Sequence, residues 1–479
     1  MTSNDTNLSR PASTSRPATV GELRASGHVE RTVKAEIRQN LLALMASTHT
    51  PGERFPGIVG FDETVLPEVE RALLAGHDMV LLGERGQGKS RLIRSLVGLL
   101  DEWTPAIEGS ELNEHPYSPV LPLSIRRARE LGDELPVRWV HRSERYAEKL
   151  ATPDTSIGDL IGDIDPVKVA QGRTLADPDT IHFGLVPRSH RGILAVNELP
   201  DLAERIQVGL LNVLEERDIQ VRGYSLRLPL DVLVLASANP EDYTNRGRII
   251  TPLKDRFGAE VRTHYPLDLD DEIAMIAQEA DTVAEVPSHL LEVVARFTRE
   301  VRESPAVDAR SGVSARFAVA GVETAAASAL RRAGLRGEAT AVARVGDTES
   351  IVSTLRGKVE FESGHEGREL EVMAHLLRTA IAQTFRHRVG GLDVSGVRDV
   401  VEGEEGVQTG ELMTGQEILD QLQEVPGLGG LLDQVEPDVD PSPGLAAAVI
   451  ELVLEGLHLT RRLDKRTADD GSTRYGGVT

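Results

Sequence analysis

Residues 79–96, MVLLGERGQGKSRLIRSL, decide the fold. An apolar run of four ends at Gly83, and an amphipathic helical pattern begins at Lys89. Between them Gly83-Glu84-Arg85-Gly86-Gln87-Gly88-Lys89-Ser90 satisfies GxxxxGK[ST], the phosphate-binding loop. Glycines let successive backbone N–H groups turn toward an anion without a Cβ clash, and the following helix adds its positive end. Lys89 is the residue for the β- and γ-phosphates, and the Ser90 hydroxyl suits a Mg²⁺ ligand. The expected cofactors are therefore ATP and Mg²⁺.

Working outward, residues 55–268 alternate short apolar runs with amphipathic stretches, the signature of a mostly parallel sheet covered by helices. MVLLG (79–83), GILAVN (192–197) and DVLVLASA (231–238) are the candidate strands, continuous and apolar as buried parallel strands are. The expected class is α/β: an αβα P-loop sandwich, then a helical lid domain, then an acidic helical tail. In residue numbers, 1–50 form a disordered leader plus an N-terminal helix and 51–268 the ATPase core. Residues 269–398 form the helical lid and 399–479 the tail. Residues 1–27 are polar and rich in Pro and Ser, which predicts disorder; 30–47 has helical periodicity. Beyond 268 only helical patterns are expected.

A metal-binding strand must end beside the loop in a carboxylate, followed by a Glu that polarises the attacking water. GILAVNELPD (192–201) offers Asn197 and then Glu198. The Asn197 carbonyl can still accept a water-mediated contact, but a full negative charge is missing near Mg²⁺. One reading keeps Glu198 as the base and expects slow or Mg²⁺-demanding turnover. The other gives Glu198 to the metal and leaves a nucleotide-gated scaffold without a base. Asn239, just past the next strand, can bond the attacking water or the γ-phosphate; alone it is equally a turn former before Pro240. Arg256 in TPLKDRFG is a candidate arginine finger for a neighbouring subunit, or the partner of Asp255. Arg246 and Arg248 are weaker candidates. Arg316, at an expected helix start, could fold onto the γ-phosphate.

The order of these parts resembles the AAA+ ATPases, within them the branch of the magnesium-chelatase ATPase subunit and the MoxR-type chaperones. FPGIVGFDETVLPEVERALLAGHDMVLLGERGQGKS is similar to that branch's entry segment. HFGLVPRSHRGILAVNELPDLAERIQVGLLNVLEER resembles its approach to the metal strand, and SANPEDYTNRGRIITPLKDRFG its sensor and finger region. The resemblance spans about 55–330 and implies Asn239 as sensor 1, Arg256 as finger and Arg316 as sensor 2, with Ile58, Val59 and Gly60 near the adenine. It also implies a homo-oligomeric, hexameric ring and a von Willebrand factor A-domain partner. Asn197 departs from the pattern.

Composition narrows the rest. With 40% hydrophobic and 27% charged residues the chain is globular in type. A net charge of −23 argues against general binding to nucleic acid or anionic lipid. The absence of cysteine removes disulfides, thiolate catalysis and Cys-ligated metals, and fits a cytoplasmic setting. No run approaches a membrane span. HEGRE (365–369) lacks the second His of a zincin, and no GxSxG elbow occurs. Three functions remain: a chelatase-type motor, a MoxR-like chaperone, or a sigma-54-type activator. The last lacks its GAFTGA-like loop here. Residues 399–460 carry fourteen acids and no Lys or Arg, which reads as a solvated face or a docking surface for a basic partner.

Overall fold

The computed structural model describes residues 16–164, 181–220, 227–240, 248–308, 312–365, 367–403, 406–422, 428–437, 439, 442–468 and 472–477. They divide into two compact units: residues up to Glu84 with Gly88–Thr263, and Arg85–Gln87 with His264 onward.

In the first unit five strands form one parallel sheet: β1 (Met79–Leu82), β2 (Tyr146–Leu150), β3 (Gly192–Asn197), β4 (Val232–Ala238) and β5 (Ala259–Arg262). Their order is β5-β1-β4-β3-β2, so the three apolar runs read from sequence occupy the centre. Successive side chains of a strand point to opposite faces. One face sends Met79, Leu81, Ile193, Ala195, Leu233 and Leu235 against α2 (Val33–Ser47), α3 (Val65–Ala75) and α4 (Lys89–Ser95). The other sends Val80, Leu82, Leu194, Val196, Val232 and Val234 against α5 (Glu204–Glu215). Central strands buried on both faces have no room for alternation with polar residues, hence their unbroken apolar sequences. The result is the expected αβα sandwich.

The N-terminal segment departs from expectation. Residues 20–25, assigned above to a disordered leader, form α1 (Val20–Ala25), capped by the Thr19 hydroxyl. Val20 and Leu23 pack on Ile107, Leu135 and Val137. The physical reason is the exposed edge of the antiparallel pair Trp103–Ile107 and Val137–His141: the Val137 N–H donates to Ala18 O (2.8 Å) and the Val20 N–H to Leu135 O (3.1 Å).

The second unit also corrects two expectations. Strands do not stop at 268: β6 (Val407–Gly410), β7 (Asp464–Thr467) and β8 (Ser472–Gly476) form an antiparallel sheet in the order β6-β8-β7. Nor does the tail stand apart as a solvated face. Its main helix, Pro443–Leu459, is buried from Leu445 through Leu457, and its residues share one core with Val293, Phe297, Phe317, Leu377 and Phe385 of the preceding helices. The acids that helix carries are paired. Glu451 accepts the Gly346 N–H (3.0 Å) and lies 3.3 Å from the Arg344 Nε, while Glu455 accepts from Lys465 (2.9 Å) and Tyr475 (2.6 Å). Charge count alone hid an apolar helix whose few acids meet bases placed elsewhere in the unit. Among the described residues no helix is long and apolar enough to cross a membrane.

Gly456 is where the tail helix passes closest to its neighbour: an added Cβ would lie 2.1 Å from the Phe385 ring. Gly456→Ala should therefore lower stability by roughly 1–3 kcal/mol, the usual cost of overpacking a close-packed core. Urea unfolding followed by circular dichroism checks this; an unchanged midpoint would show that the tail helix is not integral to the unit.

A second test concerns Glu436, buried at 4% exposure and bonded to the Ser288 hydroxyl and N–H and to the His289 N–H and ring. Burial works to raise this carboxyl, but those bonds and the His289 charge outweigh it and hold it at about 2, below its ordinary 4.5. A depressed carboxylate contributes stability above its unfolded value and loses it as pH falls through the folded one. Wild type and Glu436→Gln should thus differ most near neutral pH and converge between about pH 4.5 and 2.

Candidate functional site

A parallel sheet puts the ends of all its strands on one edge, and the chemistry gathers at the carboxyl edge. β1 runs into the phosphate loop, with the Gly83 N–H donating to Ala238 O of β4 at 3.1 Å. Gly86 and Gly88 have φ of 77° and 73°, left-handed values that L side chains rarely adopt, so the glycine pattern is required by the backbone. Gly88 then caps α4.

Lys89 is buried at 7% exposure. Its ammonium donates to the carbonyls of Gly83 and Glu84 (2.7 Å to the latter) and to Asn239 Oδ1 (2.8 Å). Asn239 Nδ2 in turn donates to Glu198 Oε2 at 2.7 Å. Asn239, the loop lysine and the candidate base thus form one chain of bonds. The alternative for Asn239, a turn former only, does not account for an amide buried at 4% with both ends engaged.

β3 ends at Asn197, and Glu198 turns out of the strand with φ 55° and ψ 47°. Its N–H donates to Ser237 Oγ (3.2 Å), and that hydroxyl donates to Asn197 Oδ1 (3.1 Å). Ser90 Oγ also approaches Asn197 Oδ1, at 3.5 Å. Asn197 Nδ2 points the other way, to Glu148 Oε1 at 2.5 Å. Sequence reasoning missed Glu148. It lies on β2, the outermost strand, in YAEKL, which has neither an apolar run nor a motif. It also accepts two bonds from Arg94 of α4 (2.8 Å each) and one from the Tyr146 hydroxyl (2.9 Å). The Arg94 bonds hold its carboxyl below the ordinary value against partial burial. Burial, with Glu148 beside it, pushes the Tyr146 phenol well above its usual range.

The residues present fit a magnesium nucleotide. A turned glycine loop, a buried ammonium and a hydroxyl beside an amide oxygen match the donors and acceptors that phosphate and a hard cation need. Among the described residues no cluster of three or more His, Asp or Glu forms a metal site without a nucleotide.

The remaining described sequence candidates sit on other elements. Gly60, with φ 77°, and Val59 belong to the loop before α3. A Cβ at Gly57 of that loop would come within 2.9 Å of the Arg91 guanidinium, which places the loop against α4. Arg256 ends α6 (Thr251–Arg256), and its partner is not Asp255: Nε bonds Glu215 at 2.7 Å and Nη1 the Pro252 carbonyl at 2.8 Å. The reason is direction, since α6 packs on α5 and points the guanidinium back to that helix's end. Arg316 is exposed in the first turn of helix Ala315–Arg336 in the second unit. Arg248 is exposed. Arg246 lies outside the described residues, while Asp218–Gln220 and Arg227–Pro229, between α5 and β4, pair antiparallel.

Residues 174–256 match the family described as the Sigma-54 interaction domain. Magnesium-chelatase subunit ChlI-1, chloroplastic, of Arabidopsis thaliana is 29% identical over 237 residues, 47% of this chain and 51% of that one. The magnesium-chelatase 38 kDa subunit of Cereibacter sphaeroides is 29% identical over 234 residues, 47% of this chain and 62% of that one. The chain therefore spans between half and two thirds of the length of these relatives. A chain from the complex between subunits BchI and BchD of magnesium chelatase covers 66% of this chain and 98% of its own length, at 22% identity and a TM-score of 0.35. The fold and the site define a P-loop nucleotide-binding core, similar in its matched segments to AAA+ ATPases. The relatives support the magnesium-chelatase subunit type within that class.

Removing the Lys89 ammonium should abolish most nucleotide affinity. A cation about 4 Å from a phosphate contributes on the order of 4 kcal/mol at an effective dielectric of about 20, or several hundredfold in affinity. Titration of Lys89→Ala with fluorescent ATP checks this; retained micromolar binding would show that the loop is not the nucleotide site.

Proposed function

We propose that the chain is an ATP-hydrolysing AAA+ subunit that works in a ring and remodels a protein partner, after the manner of a magnesium-chelatase motor subunit. The observation that carries this reading is the placement of Arg256. It lies three residues before Ala259, and Ala259 pairs with Met79 at the amino end of β1. Gly258 is tied there too, its N–H donating to Asp78 O at 3.0 Å. The phosphate loop follows the other end of β1. Arg256 is therefore at the edge of the sheet opposite its own loop, where it cannot serve that loop but can serve another copy's. Its bond to Glu215 is half exposed, and such surface pairs are worth about 0–1 kcal/mol, so exchanging that partner costs little.

When bound, ATP supplies the reactive phosphate and Mg²⁺ the charge that polarises it. Gly83–Ser90 bind and orient the phosphates, and Lys89 exchanges its carbonyl partners for them. Ser90 and Asn197 would hold the metal, the latter through its amide oxygen. Glu198, kept in place by Asn239, takes up the proton of the attacking water. Arg316 would report the nucleotide state from the second unit, and Val59 and Gly60 would lie by the adenine. A hexamer acting on a von Willebrand factor A-domain protein in the cytoplasm is the arrangement we favour, with a MoxR-like chaperone as the nearest alternative. The sigma-54 reading draws on the match at 174–256, a segment that carries Asn197, Glu198, Asn239 and Arg256 but not the phosphate loop.

Mixing two inactive variants tests the shared site. Arg256→Ala should bind ATP normally yet lose about 10³-fold in turnover, the usual worth of a finger. Lys89→Ala keeps its finger but cannot bind. Mixed together they should regain measurable turnover, because a ring then contains interfaces with an intact loop and an intact finger. Full activity in Arg256→Ala, or no recovery on mixing, would sink the assignment. Affinity purification with Glu198→Gln under ATP then identifies the partner.

A further inference from the structure

The Asn197 amide has two ends, and its neighbours dictate which faces the metal position. Its oxygen accepts from Ser237 (3.1 Å) and faces Ser90 (3.5 Å); its nitrogen donates to Glu148 (2.5 Å). Turning the amide over would set its oxygen against the Glu148 carboxylate, acceptor against acceptor, and its N–H₂ toward Ser90 and any cation there. Glu148 cannot swing away freely, because Arg94 grips it with two bonds and Tyr146 with a third. It sits on the outermost strand, outside the motif series, yet it selects the chemistry that Asn197 offers.

We propose that Glu148 is a positioning residue that locks the Asn197 amide with its oxygen toward Ser90, so that an amide can stand where a metal-strand acid is expected. The carboxylate itself stays one bond removed from the metal position. An acid in place of Asn197 would bring two carboxylates to hydrogen-bonding distance with no proton between them, so the usual residue is disfavoured while Glu148 is present. This inference rests on the magnesium-nucleotide reading above and deepens it.

The experiment measures binding, not turnover: Mg²⁺ is titrated into the full chain with mant-ATP, and the fluorescence midpoint is read. Glu148→Ala should raise the Mg²⁺ midpoint about tenfold or more, as loss of an orienting partner does, with affinity for mant-ATP in EDTA changed by less than about twofold. A purely structural role would lower thermal stability and both affinities together. Glu148→Gln retains the side chain's shape and an acceptor oxygen, and should give a smaller rise than Glu148→Ala. The decisive pair is Asn197→Asp alone against Asn197→Asp with Glu148→Gln. The single variant should not tighten Mg²⁺ binding. The double variant should tighten it, because the amide introduced on β2 can donate to the carboxylate introduced at the end of β3. An unchanged midpoint in Glu148→Ala, or equal tightening by Asn197→Asp in both backgrounds, overturns the proposal alone. Failure of the wild type to bind mant-ATP even in EDTA would overturn the nucleotide reading and this inference with it.

Discussion

A buried ammonium must have acceptors, and the way Lys89 finds them organises the first unit. Leaving a charge of that kind unpartnered inside a protein costs several kcal/mol. Two acceptors are carbonyls of its own loop, which bend inward because the glycines take left-handed conformations. The third is Asn239, which follows β4 and can arrive only if β4 lies next to β1. One side chain therefore couples loop conformation to strand order. A triphosphate competing for Lys89 has to offer more than two carbonyl dipoles and an amide oxygen, which a full negative charge does.

How much of this was legible in the sequence follows from burial. The central strands could be read because strands covered on both faces carry unbroken apolar runs, and the loop because few sequences other than glycine-rich ones can turn that way. β2 could not be read in the same way. YAEKL lies at the sheet's edge, Leu150 is 58% exposed, and Glu148 carries no spacing signal; only its pairing with β3 brings it to Asn197. The partner of Arg256 was equally hidden, since Glu215 is 41 residues away in sequence.

The tail failed for another reason. Fourteen acids and no Lys or Arg over residues 399–460 describe an average, whereas folding depends on position. The helix at 443–459 holds two of those acids among uncharged, mostly apolar neighbours, and the bases that meet them come from Arg344 before the region and Lys465 after it. β6, β7 and β8 are four or five residues long and mostly polar, so they carry no apolar run that marks a strand in the sequence. Counting charges within a window misreads a segment whose partners lie outside it.

Glu198 shows how the same constraints reach the candidate base. A left-handed backbone at a non-glycine residue costs on the order of 1–2 kcal/mol, and such residues persist only where surroundings over-determine them. Here the determinants sit two residues apart at the end of β4 and so on one side of it: Ser237 takes the Glu198 N–H, and Asn239 its carboxylate. Had the chain continued in β geometry after Asn197, the next side chain would have pointed to the opposite face of the sheet. The strained turn brings Glu198 back beside Asn197, so that the amide serving Ser90 and the carboxylate serving Asn239 share one edge. The two positions thus stay adjacent in chemistry as well as in sequence, and the strain at Glu198 is what keeps them so.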